Sequence, residues 1–165
     1  RAVVRRDADA VCGEVLELLD TFLLAPASSA EAGVSLLKMK ADFLRNLAEF
    51  RVGEERRHVA DRSLAAYQAA QDKAAQELAC AHHVRLGVAL NTAVYYYDLM
   101  GQPEQACQVA QQAFDEALVH LPRLGGDALN DSARIMQLLR DNLTLWGPEM
   151  RGGGEGGAAA AGAQA

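Results

Sequence analysis

Two asparagines interrupt apolar helical faces in the second half of the sequence. They lie on two stripes at helical spacing: Ile135, Leu138, Asn142 and Leu145; and Gly87, Leu90, Asn91, Val94 and Asp98. A buried amide without a partner costs about 1–3 kcal/mol. Either each amide forms a hydrogen bond between helices, or the pair binds the backbone of an extended peptide, because an amide both donates and accepts. In the second interpretation the flanking apolar side chains form the wall of a groove.

A further set of polar residues shares one face of an earlier helix. Lys38, Asp42 and Arg45 lie at i, i+4 and i+7, and Asn46 borders them. One interpretation is a solvated charge stripe with a Lys38–Asp42 ion pair worth about 0.3–0.5 kcal/mol. The other is a cradle for an anion, since the planar guanidinium of Arg45 presents paired donors that match a phosphate. Spacing alone leaves both interpretations open.

The composition restricts the class of protein. The 165 residues carry a formal net charge of -6, and nucleic-acid binders usually present a basic surface instead. No apolar run approaches the roughly 20 residues of a membrane span, and the first residues do not resemble a signal peptide. The three cysteines are far apart and lack a CxxC spacing, which indicates reduced thiols. We therefore expect a cytoplasmic protein that binds neither membranes nor nucleic acid.

The sequence also lacks the patterns of catalysis and metal binding. It contains no HExxH, no GxSxG and no Cys/His pairing set by spacing. His82 and His83 are adjacent, so on a helix they would point about 100° apart and could not share a metal ion. We expect no enzymatic activity, no cofactor and no bound metal.

The secondary-structure elements that carry these residues are all predicted to be helices. The hydrophobic period and the Gly, Pro and Ser residues predict six of them, at about 11–24, 28–50, 54–78, 83–100, 103–121 and 131–146. Ser28 and Glu31 form a capping-box pattern at the second helix, and Gly147 and Pro148 are expected to end the last. The prediction is an all-α antiparallel array as one domain over 1–150, followed by a disordered Gly/Ala-rich tail over 151–165.

Several segments together resemble the 14-3-3 protein family. The segments are "VCGEVLELLDTFLL", "SLLKMKADFLRNLAEF", "RLGVALNTAVYYYDLM", "ACQVAQQAFDEAL" and "DSARIMQLLRDNLTLW". The resemblance implies a nine-helix antiparallel cup that dimerises and binds phosphoserine or phosphothreonine segments of client proteins. The sequence begins within the fourth helix of that fold, so about six of the nine helices are present, and the main dimerisation helices are not among them. It starts at Arg1 without an initiator Met, which suggests a fragment or a processed form.

The resemblance also assigns roles to the polar residues. Arg45 matches the phosphate-binding arginine, Lys38 a groove lysine, and Asn91 and Asn142 the two asparagines that bind the client backbone. The matching hydrophobic wall consists of Leu90, Val94, Ile135, Leu138 and Leu145, with Gly87 at a position of close approach.

Two departures from the family pattern put phosphate binding in question. Asn46 stands where the family has a tyrosine whose hydroxyl donates to the phosphate. The family's other two phosphate ligands belong to its third helix, which this sequence does not include. The alternative to a phosphopeptide-binding adaptor is therefore a degenerate helical scaffold that no longer binds phosphopeptides. A tetratricopeptide-like solenoid fits less well, because no 34-residue repeat is visible.

Overall fold

A computed structural model describes the backbone of residues 2–24 and 29–151, and the side chains within 9–22 and 29–148. Six α-helices follow one another: α1 (Ala2–Leu24), α2 (Ala30–Glu49), α3 (Gly53–Glu77), α4 (His83–Val94), α5 (Pro103–His120) and α6 (Gly126–Arg151). A π-helical turn, Tyr95–Leu99, extends α4, and a 3₁₀ turn, Leu121–Arg123, follows α5. No strand occurs in the described residues, so the predicted all-α fold is confirmed.

Helix starts follow local chemistry. Ser29 caps α2, because its side-chain oxygen accepts a hydrogen bond from the backbone N–H of Ala32 at 3.1 Å. The capping box predicted at Ser28 falls on a residue outside the described ones, and the cap lies one residue later. Pro103 occupies the first turn of α5, where its missing N–H costs no helical hydrogen bond.

The predicted bounds of the last helix are wrong at both ends. It begins at Gly126, before the cap expected near Asp131, and it continues past Gly147 and Pro148 to Arg151. Gly126 has a positive φ of 56°, a conformation that glycine adopts without steric cost, so the chain turns there directly into the helix. Pro148 lies in the last turn, so its missing N–H removes only one bond near the helix end. The predicted tail beyond Arg151 lies outside the described residues.

Three buried clusters hold the helices together. One joins α4, α5 and α6 around Leu86, Leu90, Leu139 and Trp146. The second joins α2, α3 and the π-helical turn around Leu44, Tyr67 and Tyr95, and the third joins α2, α3 and α4 around Val34 and Val88. Because α4 contacts α2, α3, α5 and α6, it is the central helix of the array. Its polar side chains are therefore positioned by neighbours on several sides.

Candidate peptide-binding groove

A cavity of about 270 Å³ opens where α2, α4 and α6 meet. Its lining residues are Ser35, Lys38, Met39, Asp42, His83, Val84, Gly87 and Ile135. Three of them, Lys38, Gly87 and Ile135, are residues that the sequence predicts for the site. The three helices thus bring together one charged residue, one glycine and one apolar residue that lie up to 97 positions apart in sequence.

Gly87 faces both of the other helices at this cavity. A Cβ atom placed on it would lie 3.6 Å from Cε of Lys38 and 3.9 Å from Cδ1 of Ile135. The glycine therefore leaves room between the lysine on α2 and the isoleucine on α6, and a longer side chain would occupy the cavity. Both distances are ordinary van der Waals contacts, so the role of Gly87 as a position of close approach stays a prediction.

At the wall of the cavity, Asp42 accepts hydrogen bonds from three donors. Nζ of Lys38 lies 3.0 Å from Oδ2, the hydroxyl of Tyr67 lies 2.5 Å from Oδ1, and Nδ2 of Asn91 lies 3.0 Å from both oxygens. Burial and the negative charge of Asp42 raise the pKa of the Tyr67 phenol, against the opposing effect of Arg45, so its hydroxyl stays a donor. Asn91 itself is buried.

The Lys38–Asp42 ion pair is part of this network. Its formation agrees with the plainer sequence interpretation, but its environment does not, because the side chains of Lys38 and Asp42 are only 18% and 22% exposed. The pair is half-buried at the cavity wall and contacts Asn91. It is therefore not a freely solvated surface pair.

Arg45 lies one turn beyond Asp42 on α2 and is only 5% exposed. Its Nε has no hydrogen-bond partner among the described residues. The positive charge of Arg45 acts on two neighbouring groups. Partial burial raises the pKa of Asp98, and Arg45 opposes that rise, as it opposes the rise in the pKa of Tyr67. Asp98 is on the π-helical turn, and the described residues contain no Arg45–Asp98 ion pair within 4 Å. The site thus holds a buried guanidinium whose donors are not all used.

Two of the predicted wall residues lie deeper than expected. Leu90 is fully buried and Val94 is 7% exposed, both in the cluster of α4, α5 and α6. Ile135 and Leu138 are partly buried against the same cluster. Leu90 and Val94 are therefore more deeply buried than Ile135 and Leu138.

The remaining candidates lie along α6 and next to Arg45. Asn142 is half-buried and Leu145 is 53% exposed, so the stripe on α6 runs from partly buried to open. Asn46 is half-buried on α2. Neither Asn142 nor Asn46 forms a hydrogen bond with another side chain in the described part of the chain. The interpretation of Asn142 as an inter-helix bond therefore has no support there, whereas Asn91 does form such a bond.

Sequence reasoning missed the role of Asp42 and Tyr67. Spacing paired Asp42 only with Lys38, and Tyr67 lies 25 positions away on α3, a helix on which no site residue was expected. A signal was present in the single acidic residue between Lys38 and Arg45. Its contacts with Asn91 and Tyr67 depend on how α3 and α4 pack against α2, which the sequence pattern does not specify.

The two adjacent histidines correct a geometric expectation. His82 is the N-cap of α4 rather than a helical residue, and its Nδ1 accepts from the backbone N–H of Val84 at 3.2 Å. Its ring therefore stacks on that of His83 with centroids 4.7 Å apart, and both Nε2 atoms lie 3.7 Å from Glu31. The expectation that the rings diverge is wrong. Burial and the neighbouring His83 lower the pKa of His82, and Glu31 acts in the opposite direction.

The described side chains contain no cluster of three or more His, Cys, Asp or Glu residues arranged to hold a metal ion. None of the three cysteines forms a disulfide with another. None of the described helices contains the long apolar stretch required to cross a membrane.

Comparison with known proteins gives a consistent result. The family model described as 14-3-3 protein matches residues 1–147. The 14-3-3-like protein GF14-A of Oryza sativa subsp. japonica is 51% identical over 154 residues, which are 93% of this chain and 58% of that protein. A 14-3-3-like protein of Chlamydomonas reinhardtii is 49% identical over 151 residues, covering 92% of this chain and 58% of its own. The 14-3-3 protein 6 of Solanum lycopersicum is 47% identical over 154 residues, covering 93% and 60%. The chain therefore spans about three fifths of the length of these relatives.

Proposed function

Because the chain belongs to the 14-3-3 family, we propose that it binds phosphoserine or phosphothreonine segments of client proteins in the groove between α2, α4 and α6. In this function Arg45 binds the phosphate, Lys38 adds positive charge, and Asn91 and Asn142 bind the client backbone. Ile135, Leu138 and Leu145 contact client side chains, with Leu90 and Val94 beneath them. The protein acts as an adaptor and catalyses no reaction itself.

The burial of Arg45 without a full set of partners carries this proposal. A buried donor that lacks an acceptor costs about 1–3 kcal/mol, and more when the group is charged. Such a cost is removed when an anion with several acceptor oxygens binds, and a phosphate matches the fork of a guanidinium. An arginine that merely stabilised the fold would be expected to have an acceptor for Nε.

The apolar part of the groove supports a peptide as the ligand rather than a free anion. The apolar side chains of Ile135 and Val84 line the same cavity as Lys38. Leu145 on the same face of α6 remains 53% exposed. A peptide can place a phosphate at Arg45 and apolar side chains along this surface at the same time.

Titration of a labelled phosphoserine peptide and its unphosphorylated twin tests the proposal. Arg45→Ala should weaken the phosphorylated peptide about 10- to 100-fold, the equivalent of hydrogen bonds to a charged group, and leave the twin nearly unchanged. Arg62→Ala is the matched control, because Arg62 is exposed on α3 and carries the same charge. Equal binding of both peptides by the unaltered protein would contradict phosphate recognition.

Two observations favour the alternative of a degenerate scaffold. Lys38 already forms an ion pair with Asp42, and Asn46 offers a short amide where the family resemblance implies a phenol. If these two positions weaken phosphate binding enough, the phosphorylated peptide will bind no better than its twin, and a phosphate-independent helical scaffold is the better description. A cytoplasmic location is part of the same proposal.

A further inference from the structure

The carboxylate of Asp42 joins three helices beside the groove. It accepts from Lys38 on its own helix α2, from Tyr67 on α3 and from Asn91 on α4. The Tyr67 bond connects α2 to α3 inside the core, where Tyr67 is fully buried. The Asn91 bond, in contrast, involves a residue that the proposed function places in contact with the client.

This contact fixes the direction of the Asn91 amide. A carboxylate only accepts hydrogen bonds, so the amide must turn its Nδ2 toward Asp42 and its Oδ1 away. Among the described residues, Nε of Arg45 is the one side-chain nitrogen or oxygen that is inaccessible to solvent and has no hydrogen-bond partner, so Oδ1 of Asn91 is not such an atom. Oδ1 of Asn91 accepts no bond from those residues either, so it keeps access to solvent. Asn91 thus presents an acceptor, rather than both a donor and an acceptor.

We propose that Asp42 is a positioning residue that holds the Asn91 amide so that its Oδ1 accepts a hydrogen bond from a backbone N–H of the client. This inference rests on the proposed function and specifies which group of the client Asn91 recognises. Without Asp42, the Asn91 amide can turn over and present either group. Part of the binding free energy is then lost in ordering it.

The free protein shows whether Asp42 orients Asn91. In an NMR spectrum of the full chain, the two side-chain N–H signals of Asn91 should be widely separated and protected from exchange, because Nδ2 is held by a carboxylate. Asp42→Ala should move them toward the values of solvated asparagines. Tyr67→Phe is the matched control: it removes the neighbouring bond to Asp42 and should leave the Asn91 signals in place. Unchanged signals in Asp42→Ala would overturn the proposed orientation.

A double-mutant cycle tests whether this orientation matters for binding. Asp42→Ala should weaken both a phosphoserine peptide and its serine twin, about tenfold for the loss of one ordered hydrogen bond. In an Asn91→Ala background the same change should cost almost nothing, because Asp42 then has no amide to orient. The serine twin is the cleaner probe, since loss of the Asp42 charge also removes a repulsion from the phosphate. Asp20→Ala, which removes a carboxylate paired with Lys40 away from the groove, controls for the change in net charge.

The outcomes separate this inference from the proposed function. Binding with coupled losses supports the role of Asp42. If the losses of binding free energy in Asp42→Ala and Asn91→Ala simply add in the double variant, Asp42 acts independently of Asn91. That result overturns the positioning role and leaves the proposed function standing. Binding of neither peptide by the unaltered chain overturns the proposed function and the role of Asp42 together.

Discussion

Gly87 on α4 faces Lys38 on α2, and a Cβ on the glycine would lie 3.6 Å from Cε of the lysine. This is an ordinary van der Waals distance, so a methyl group fits, and an alanine within a helix is about 0.5–1 kcal/mol more favourable than a glycine. We expect Gly87→Ala to raise the free energy of unfolding by roughly that amount, as measured by urea denaturation.

A larger side chain at the same position should act on binding. Leucine at position 87 would occupy the space between Lys38 and Ile135, so Gly87→Leu should reduce phosphopeptide affinity strongly. The matched control is Gly13→Leu on α1, where nothing lies within 4 Å of a Cβ. Full affinity in a folded Gly87→Leu variant would show that the client does not enter this cavity.

Asn142 should affect peptide binding irrespective of the phosphate. It is half-buried and has no hydrogen bond to a described side chain, so Asn142→Leu should change thermal stability little. In the complex, the change would leave client N–H and C=O groups against hydrocarbon, at about 1–3 kcal/mol. Both the phosphorylated peptide and its twin should weaken by similar factors in a titration. Asn130→Leu, on an exposed part of α6, is the control, and unchanged affinity together with a clear loss of stability would assign Asn142 to the core.

Asn46 should limit phosphate affinity. A phenol beside Arg45 would restore a donor to the phosphate, so Asn46→Tyr should strengthen the phosphorylated peptide by about 1–2 kcal/mol and leave the unphosphorylated one unchanged. Asn46→Phe adds the same ring without the hydroxyl and should give no such gain. If the tyrosine and phenylalanine variants bind equally, Asn46 does not face the phosphate.

The His82 cap should make stability depend on pH. Burial and His83 lower the pKa of His82 in the folded protein, so the unfolded chain binds a proton more readily. Stability from this group is complete above its unfolded pKa of about 6.5 and is lost as the pH falls through the lowered folded value. Protonation also places a hydrogen on Nδ1, which now accepts from Val84.

Thermal unfolding at pH 8 and pH 5 checks this expectation. His82→Asn keeps a side-chain acceptor at the N-cap without a titrating ring, so it should reduce the difference in melting temperature between the two pH values. His58→Asn, at an exposed site on α3, should not change the difference. Identical pH dependence in His82→Asn and the unaltered protein would contradict the role of the cap.

The sequence predicted the six helices, because the hydrophobic period and the Gly, Pro and Ser residues that flank a helix are local properties of the sequence. It placed the end of α6 wrongly because Pro148 is tolerated in a last turn, a matter of position rather than residue type. It also expected the rings of His82 and His83 to diverge, as they would on a helix. His82 is instead the non-helical N-cap of α4, and its ring stacks on that of His83.

The candidate site likewise has one part that could be predicted from the sequence and one part that could not. Lys38, Gly87 and Ile135 line one cavity. The family resemblance implied this meeting, whereas helical spacing places each residue on a face of its own helix and does not say which helices pack together. The network of Asp42 with Tyr67 and Asn91 was not predictable, because it depends on the packing of three helices and on the direction of one amide. The family resemblance supplied roles for residues that the spacing had left with two interpretations.

The Nε–H signal of Arg45 in a ¹H–¹⁵N NMR titration tests the central claim most directly. This group is buried and has no partner among the described residues, so a bound phosphate oxygen should accept its hydrogen. We expect the Arg45 signal to shift downfield and become protected from exchange as a phosphoserine peptide is added, and to stay in place with the unphosphorylated twin. An Arg45 signal that does not move while the phosphopeptide binds, or that moves equally with both peptides, would contradict the claim that Arg45 recognises the phosphate.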